Sequence, residues 1–318
     1  MSSKTVRSQS FPLRSLSREP PTVGIPLLPS ELSNVQVPSF AGVFLYMTSP
    51  VRALCESKVD GTVFAIRWAQ QFWLFAVWIF PAGYVMRLSA LSVAGRERMG
   101  TLETWKMVFQ RYASFLSGTL LTFGFALLCL SYFLILGWID RIPTIGHLLA
   151  IVGSIVGLPV LFIAGVLLFG TLLSFPLMWS SVVVESYADG FDAASRGFEY
   201  VIQRPFRFAA YVIMVTLLTI VIANFASGVT SIGLAFVNNA FAAGTSSGKG
   251  LPTGIESLVR MIPVALAFNL FWAFAAGIYL LLRRDANHQD VEDVWEPALP
   301  AGDPLPELNI TPAKTETP

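Results

Sequence analysis

Two stretches of the chain, Leu148 to Val184 and Phe208 to Gly248, contain no Lys, Arg, Asp, Glu or His. Each exceeds the about 20 apolar residues that carry a helix across a bilayer. Between them lies a polar island, Glu185 to Arg207. Within it Asp192, Arg196, Glu199 and Gln203 fall on one helical stripe, with Phe191, Ala194, Phe198, Val201 and Ile202 on the other side. This predicts an amphipathic helix on the membrane surface, ended by Pro205. A fainter version precedes it: Thr101 as N-cap, then Leu102, Trp105, Phe109 and Tyr112 on one face and Glu103, Lys106 and Gln110 on the other. Each version follows one apolar run and leads into another, so each reads as an elbow between two spans.

The remaining pattern sets the number of spans. Phe72 to Met86 is short and interrupted by Pro81 and Gly83, and reaching back to Trp68 lengthens it enough to cross. Ala113 to Trp138 crosses without help. As one straight helix, Leu148 to Val184 would be far longer than a bilayer is thick, so it divides at Pro159, leaving an apolar piece, Ile142 to Gly157. The next run splits in the reverse order, into a span to Ser227 and a Gly-punctuated piece, Gly228 to Gly244. The prediction is all-α: a polytopic transmembrane helical bundle with about five membrane spans, near 68–91, 113–138, 158–185, 205–227 and 260–283, and two cytoplasmic amphipathic elbow helices. Residues 40–284 form this domain. Residues 1–39, broken by Pro12, Pro20, Pro21, Pro26, Pro29 and Pro38, read as a disordered tail, and Phe40 to Glu56 as a short helix lying on the membrane or on the protein. Residues 285–318 form an acidic, Pro-rich tail. In it Val291, Val294 and Trp295 either pin the segment to the basic membrane face or stay solvated.

Composition agrees with a membrane protein: 54% hydrophobic and 13% charged residues, with mean hydropathy +0.63. Net charge is +1, and no basic cluster or RNA-reading motif accompanies it, so no nucleic-acid partner is expected. The lipid bilayer is the expected partner. Two spans separate the elbows, which puts them on one side, and Arg87, Arg96, Arg98, Lys106, Arg111, Arg196, Arg204 and Arg207 make that side cytoplasmic. The C-terminus follows on the same side. The N-terminus, with Lys4, Arg7, Arg14 and Arg18, lies outside if the first run spans and inside if that run is re-entrant.

The chain has no Walker loop, Gly-x-Ser-x-Gly elbow, His-Glu-x-x-His helix or Cys-x-x-Cys pair. His147 and His288 are too few for a histidine metal or haem site, and Cys55 and Cys129 read as free thiols. No cofactor, metal or catalytic residue is expected, and no enzyme activity. Polar residues within spans are costly and therefore informative. Arg87 and Glu185 end two spans on one side and are a candidate ion pair; Asn224 and Asn269 are candidate contacts between helices. These features point to a non-catalytic membrane-organising or partner-binding protein that uses its cytoplasmic helices and C-terminal tail. The alternative is a small-solute permease or permease subunit built on the paired pieces 142–157 and 228–244.

Three segments carry a family likeness: GYVMRLSALSVAGRERMG from Gly83, PLMWSSVVVESYADGFDAASRGFEYVIQRP from Pro176, and LLLRRDANHQDVEDVW from Leu280. They combine a Gly-x-x-x-Arg-x-x-Ala helix end at Gly83, Arg87 and Ala90 with an Arg-Glu-Arg turn at Arg96 to Arg98, and with Asp192, Ser195, Arg196 and Pro205. On them the chain resembles, over roughly residues 62–297, an uncharacterised family of multi-pass membrane proteins of planctomycete-type bacteria. The resemblance implies architecture and a bacterial inner membrane; that family has no assigned activity.

Overall fold

In the computed structural model the described residues are 39–55, 60–97, 99–143, 145–186, 189–246 and 250–295. The disorder expected of residues 1–38, and the tail beyond Trp295, lie outside them. Every regular element among the described residues is a helix. In chain order these are α1 (Phe40–Met47), α2 (Ser49–Cys55), α3 (Gly61–Val93), α4 (Thr101–Ile139), α5 (Gly146–Val156), α6 (Leu158–Val184), α7 (Gly190–Gln203), α8 (Pro205–Gly244), α9 (Thr253–Arg260) and α10 (Ile262–Asn287). Five stretches are long and apolar enough to cross a membrane: α3, α4, α6, α8 and α9 running on through α10.

The helices α3 and α10 stand at the centre. Half of the apolar window of each is buried, against 17% for α4 and α8 and 22% for α6. The remaining apolar faces, such as Phe162, Phe169, Phe225 and Phe236, point outward, as expected of helices solvated by lipid. Aromatic rings fill the middle of the bundle. Trp179 of α6 stacks on Trp272 of α10 at 5.2 Å, and Phe75 of α3 lies between Phe123, Phe175 and Trp179. The Trp179 indole donates to Thr119 of α4 at 3.0 Å, which satisfies a polar group that would otherwise be costly in an apolar core.

Proline and glycine act differently from position to position. The long apolar run divides as expected, with α5 ending and α6 beginning at Gly157 and Pro159 falling in the first turn of α6. At Gly157 a Cβ would come within 2.5 Å of the Tyr132 ring, and at Gly153 within 2.5 Å of Leu136. These glycines let α5 lie tightly along α4. The next run does not divide. Helix α8 continues through Gly228 and Gly233 for 40 residues, because a glycine lowers helix propensity without removing a backbone hydrogen bond. Nor does Pro81 end α3, a continuous helix of 33 residues and about 50 Å, long enough to cross. The first of the two expected elbows is no separate helix. Thr101 to Tyr112 is the start of the 39-residue α4, held alongside α3 by Tyr84 stacked on Trp105 and Phe80 on Tyr112. Its Leu102 and Phe109 are exposed.

Of the two placements the sequence leaves open for residues 40–56, on the membrane or on the protein, α1–α2 takes the second. Ser39 caps α1 through its hydroxyl, and Phe40, Val43 and Met47 are buried against the bundle. Phe40 packs on Phe271 at 4.6 Å, Phe44 on Phe175 and Tyr46 on Phe268, and Gln71 of α3 donates to the Met47 carbonyl at 2.9 Å. The driving pattern is the apolar stripe Phe40, Val43, Phe44 and Met47, which the single Arg52 nearby does not interrupt.

Candidate functional site

The polar chemistry of the fold gathers at the end of the bundle where α3, α6 and α10 finish, called here the basic end. Helix α6 runs into protein: every residue from Ser174 to Val184 is buried. A helix terminus leaves its last four carbonyls without partners, so a buried one must find donors elsewhere. Distant residues supply them: the Val182 carbonyl accepts from Arg111 Nη1 at 2.5 Å, that of Val183 from Arg87 Nη1 at 3.0 Å, and that of Val184 from Trp295 N at 2.9 Å. Arg111 donates further to the carbonyls of Glu185 and Ser186 at 2.6 and 2.9 Å. Two guanidinium groups at the negative end of a helix are also favoured by its dipole.

The chain after α10 closes this arrangement. His288 adopts the left-handed conformation at φ 56°, ends α10, and turns the backbone toward α6. Asp290 to Trp295 then lies over the end of α6 as a strap. The Trp295 carbonyl accepts from Arg87 Nη2 at 2.5 Å, and its ring sits 4.0 Å from the Arg111 guanidinium and 5.4 Å from that of Arg87. Val294 is buried, and Arg96 donates to the Glu292 carbonyl. Of the two alternatives the sequence leaves open for Val291, Val294 and Trp295, docking is the one observed.

Glu185 is the hub beside this cap. Its Oε1 accepts from Arg283 Nη1, Arg196 Nη1 and the Tyr279 hydroxyl, each at 3.0 Å. Arg283 is 1% exposed at its side chain and also donates to the carbonyls of Asp290 and Asp293, which ties the strap to the same hub. Arg196 reaches back from α7 and pairs with Asp192 as well, at 3.0 Å. Burial works against the Arg196 charge, but Glu185 and Asp192 more than offset it, so its pKa lies above the usual arginine value. Burial raises the Tyr200 hydroxyl, which accepts from Asn287 at 3.0 Å while its ring meets that of Tyr279. A carboxylate held by two guanidinium groups and a phenol is a fixed counter-ion, not an open base.

Helix α7 is positioned by its own small residues. Asp189 caps it by accepting from Asp192 N at 2.8 Å. Gly190, Ala193, Ala194 and Gly197 face the bundle, where a Cβ on Gly190 would meet Ser117 Oγ at 2.0 Å and one on Gly197 would meet Met178 Cγ at 2.5 Å. Glu199 bonds Gln203 at 2.9 Å along the exposed stripe. Phe191 and Ile202, with Phe206 just beyond, point away from the protein. The amphipathic prediction therefore holds for the stripe. The face against the bundle, however, is made of glycine and alanine more than of the phenylalanines.

The other sequence candidates separate. Arg87 and Glu185 both lie at the cluster, but Glu185 pairs with Arg283 and Arg196 while Arg87 serves carbonyls, because the open end of α6 lies within its reach. Asn224 and Asn269 do not bridge helices: each is exposed and donates to the carbonyl four residues earlier on its own helix, Ile220 and Ala265. Asn269 lines an otherwise apolar cleft with Trp78, Pro81 and Phe268. The pieces 142–157 and 228–244 are also unlike each other, one a separate helix and the other a continuation of α8. Cys129 is a free thiol, and the side chain of Cys55 lies outside the described residues. His147 pairs with Asp140 at 2.9 Å on an exposed surface at the far end. No group of three or more His, Cys, Asp or Glu that could hold a metal occurs among the described residues.

Sequence reasoning counts Arg111 only toward the charge of this side, and does not single out Arg283 or Tyr279 as site residues. The available signal was a tryptophan in an acidic segment that follows a basic helix end.

Fold and cluster together define a multi-pass helical integral membrane protein with its polar network at one end. No protein-family model, curated protein or solved structure matches the chain.

Proposed function

We propose that the protein is a non-catalytic component of a bacterial inner membrane, with its basic end and C-terminal strap in the cytoplasm, and that this end engages a protein partner or organises the lipid around it. The observation that carries the reading is the use made of polarity. The buried charged groups at the basic end bind each other, helix-end carbonyls and the strap, which makes one rigid platform of α3, α4, α6, α7 and α10. Around this platform Phe191, Ile202, Phe206, Leu102 and Phe109 are exposed. Sidedness rests on Arg87, Arg96, Lys106, Arg111, Arg196, Arg204, Arg207, Arg283 and Arg284 at this end, against Arg52, Arg67, Arg141 and Arg260 at the other among the described residues. The permease reading draws less support, since Asn224 and Asn269 bond within their own helices and face outward.

The test is affinity purification of the tagged full-length chain from native membranes, with a second sample truncated before Asp290. A stoichiometric companion that is lost on truncation supports the proposal. Uptake of a small solute into proteoliposomes, with no companion protein, would replace it with the permease reading.

A further inference from the structure

At the same end, but away from the Glu185 hub, an apolar cavity of about 110 Å³ lies between α1, α6, α8 and α10. Phe40 and Phe44 of α1, Leu177 of α6, Phe208 and Val212 of α8, and Ala275 of α10 line it. The cavity is lined by carbon, and it sits within spans that the bilayer surrounds. Its natural occupant is therefore hydrocarbon rather than water.

The polar groups nearest its end point to the rest of that occupant. Arg204 is the residue before α8, and the Phe208 amide bonds its carbonyl at 2.9 Å. Arg204 therefore lies at the end of α8 next to the cavity residues Phe208 and Val212, one turn closer to the membrane surface. Arg207 follows three residues later, and the exposed Arg284 precedes Asp285, the partner of Arg207. Asp285 bonds Arg207 at 2.5 Å and Tyr211 at 3.2 Å, so it neutralises one guanidinium and leaves the group net positive. Asp285 is held by Arg207 and Tyr211 and not by Arg204.

We propose that this is a binding site for one anionic phospholipid of the leaflet at the basic end, with an acyl chain in the cavity and its phosphate on Arg204 and Arg284. The proposal assumes the membrane-spanning fold but not a protein partner. Chain and headgroup are recognised together, because the apolar walls end where the arginines begin. Residues just before Ser39 are the competing occupant, since Phe40 lines the cavity.

Native mass spectrometry of protein taken from nanodiscs of phosphatidylcholine containing a minority of phosphatidylglycerol tests this. The expected result is one phosphatidylglycerol retained in preference to phosphatidylcholine. A basic side chain near a membrane surface contributes about 1 kcal/mol to anionic-lipid binding, so Arg204→Gln is expected to lower that preference about fivefold. Arg204→Lys should keep most of it, which separates charge from folding. Ala275→Leu, which adds a bulky side chain to the lining, should lower retention of the lipid. Circular dichroism and the thermal midpoint confirm that each variant is folded. Equal retention of the two lipids, or a preference unmoved by Arg204→Gln and Ala275→Leu, would overturn the proposal. So would retention that appears only after residues 1–38 are removed, because the cavity would then belong to the chain itself.

Discussion

Replacing Glu185 by glutamine keeps the shape of the side chain and one acceptor oxygen, and removes only its charge. The consequence falls on Arg283, which is 1% exposed and has Glu185 as its carboxylate partner at 3.0 Å. Its other bonds are to the carbonyls of Asp290 and Asp293, which cannot neutralise it. Arg196 keeps Asp192 and is 28% exposed at its side chain, so it can turn toward water. Breaking a buried pair by removing one partner costs about 3–5 kcal/mol. The comparison is Asp192→Asn, which breaks the half-exposed i,i+4 pair with Arg196 and should cost about 0.2–1 kcal/mol. Thermal unfolding in bicelles, followed by tryptophan fluorescence, reads both. A domain of 150–250 residues shifts by roughly 2–4 °C per kcal/mol and a longer chain by less, and Glu185→Gln should lower the midpoint by several times the shift of Asp192→Asn. Adding Arg283→Gln to Glu185→Gln should recover part of the loss, since no uncompensated buried charge then remains. Equal shifts for the two single variants, or a further loss in the double variant, would refute the assignment of Glu185 as the counter-ion of Arg283.

Two further outcomes follow from the same geometry. Trp295→Leu keeps an apolar side chain at the strap but removes the ring facing Arg111 at 4.0 Å, so it should cost about 0.5–2 kcal/mol in the same unfolding assay, whereas Trp295→Phe should cost less. Gly190→Val places carbon where Ser117 Oγ stands 2.0 Å and Gly118 N 2.8 Å from an ideal Cβ; because part of that obstacle is backbone, it should destabilise by about 1–3 kcal/mol or more, while Gly244→Ala, with open space around it, should be nearly silent.

The architecture was readable where one physical demand dominated. Runs without charge can only be membrane helices in a chain this apolar, and Asp192, Arg196, Glu199 and Gln203 mark a helical stripe by spacing alone. Legibility failed where competing demands were close in energy. Glycine at 228 and 233 leaves the helical hydrogen bonds of α8 intact, so composition could not tell a break from a continuation. Thr101 to Tyr112 carries an amphipathic pattern whether it lies on a surface or opens a long helix, and its packing on Phe80 and Tyr84 decides between them. The site was half legible. Arg87 and Glu185 were found because charge near a span end is costly, but the partners each would take depend on where the end of α6 lies. The donors to Val182, Val183 and Val184 come from positions 71, 96 and 111 residues away in the chain, separations that no local pattern encodes.

The chain after α10 is part of the fold and closes the end of α6 and the Glu185 hub. Hydrogen exchange of the intact protein in nanodiscs, read by mass spectrometry on peptides covering residues 288–295, tests it without any substitution. The amides of Asp293, Val294 and Trp295 donate to the carbonyls of Asp290, Glu292 and Val184, so they should exchange markedly more slowly than a free peptide of the same sequence, and Trp295→Leu should speed them. Exchange of all three at the free-peptide rate in the unmodified protein would contradict the docked strap and the platform built on it.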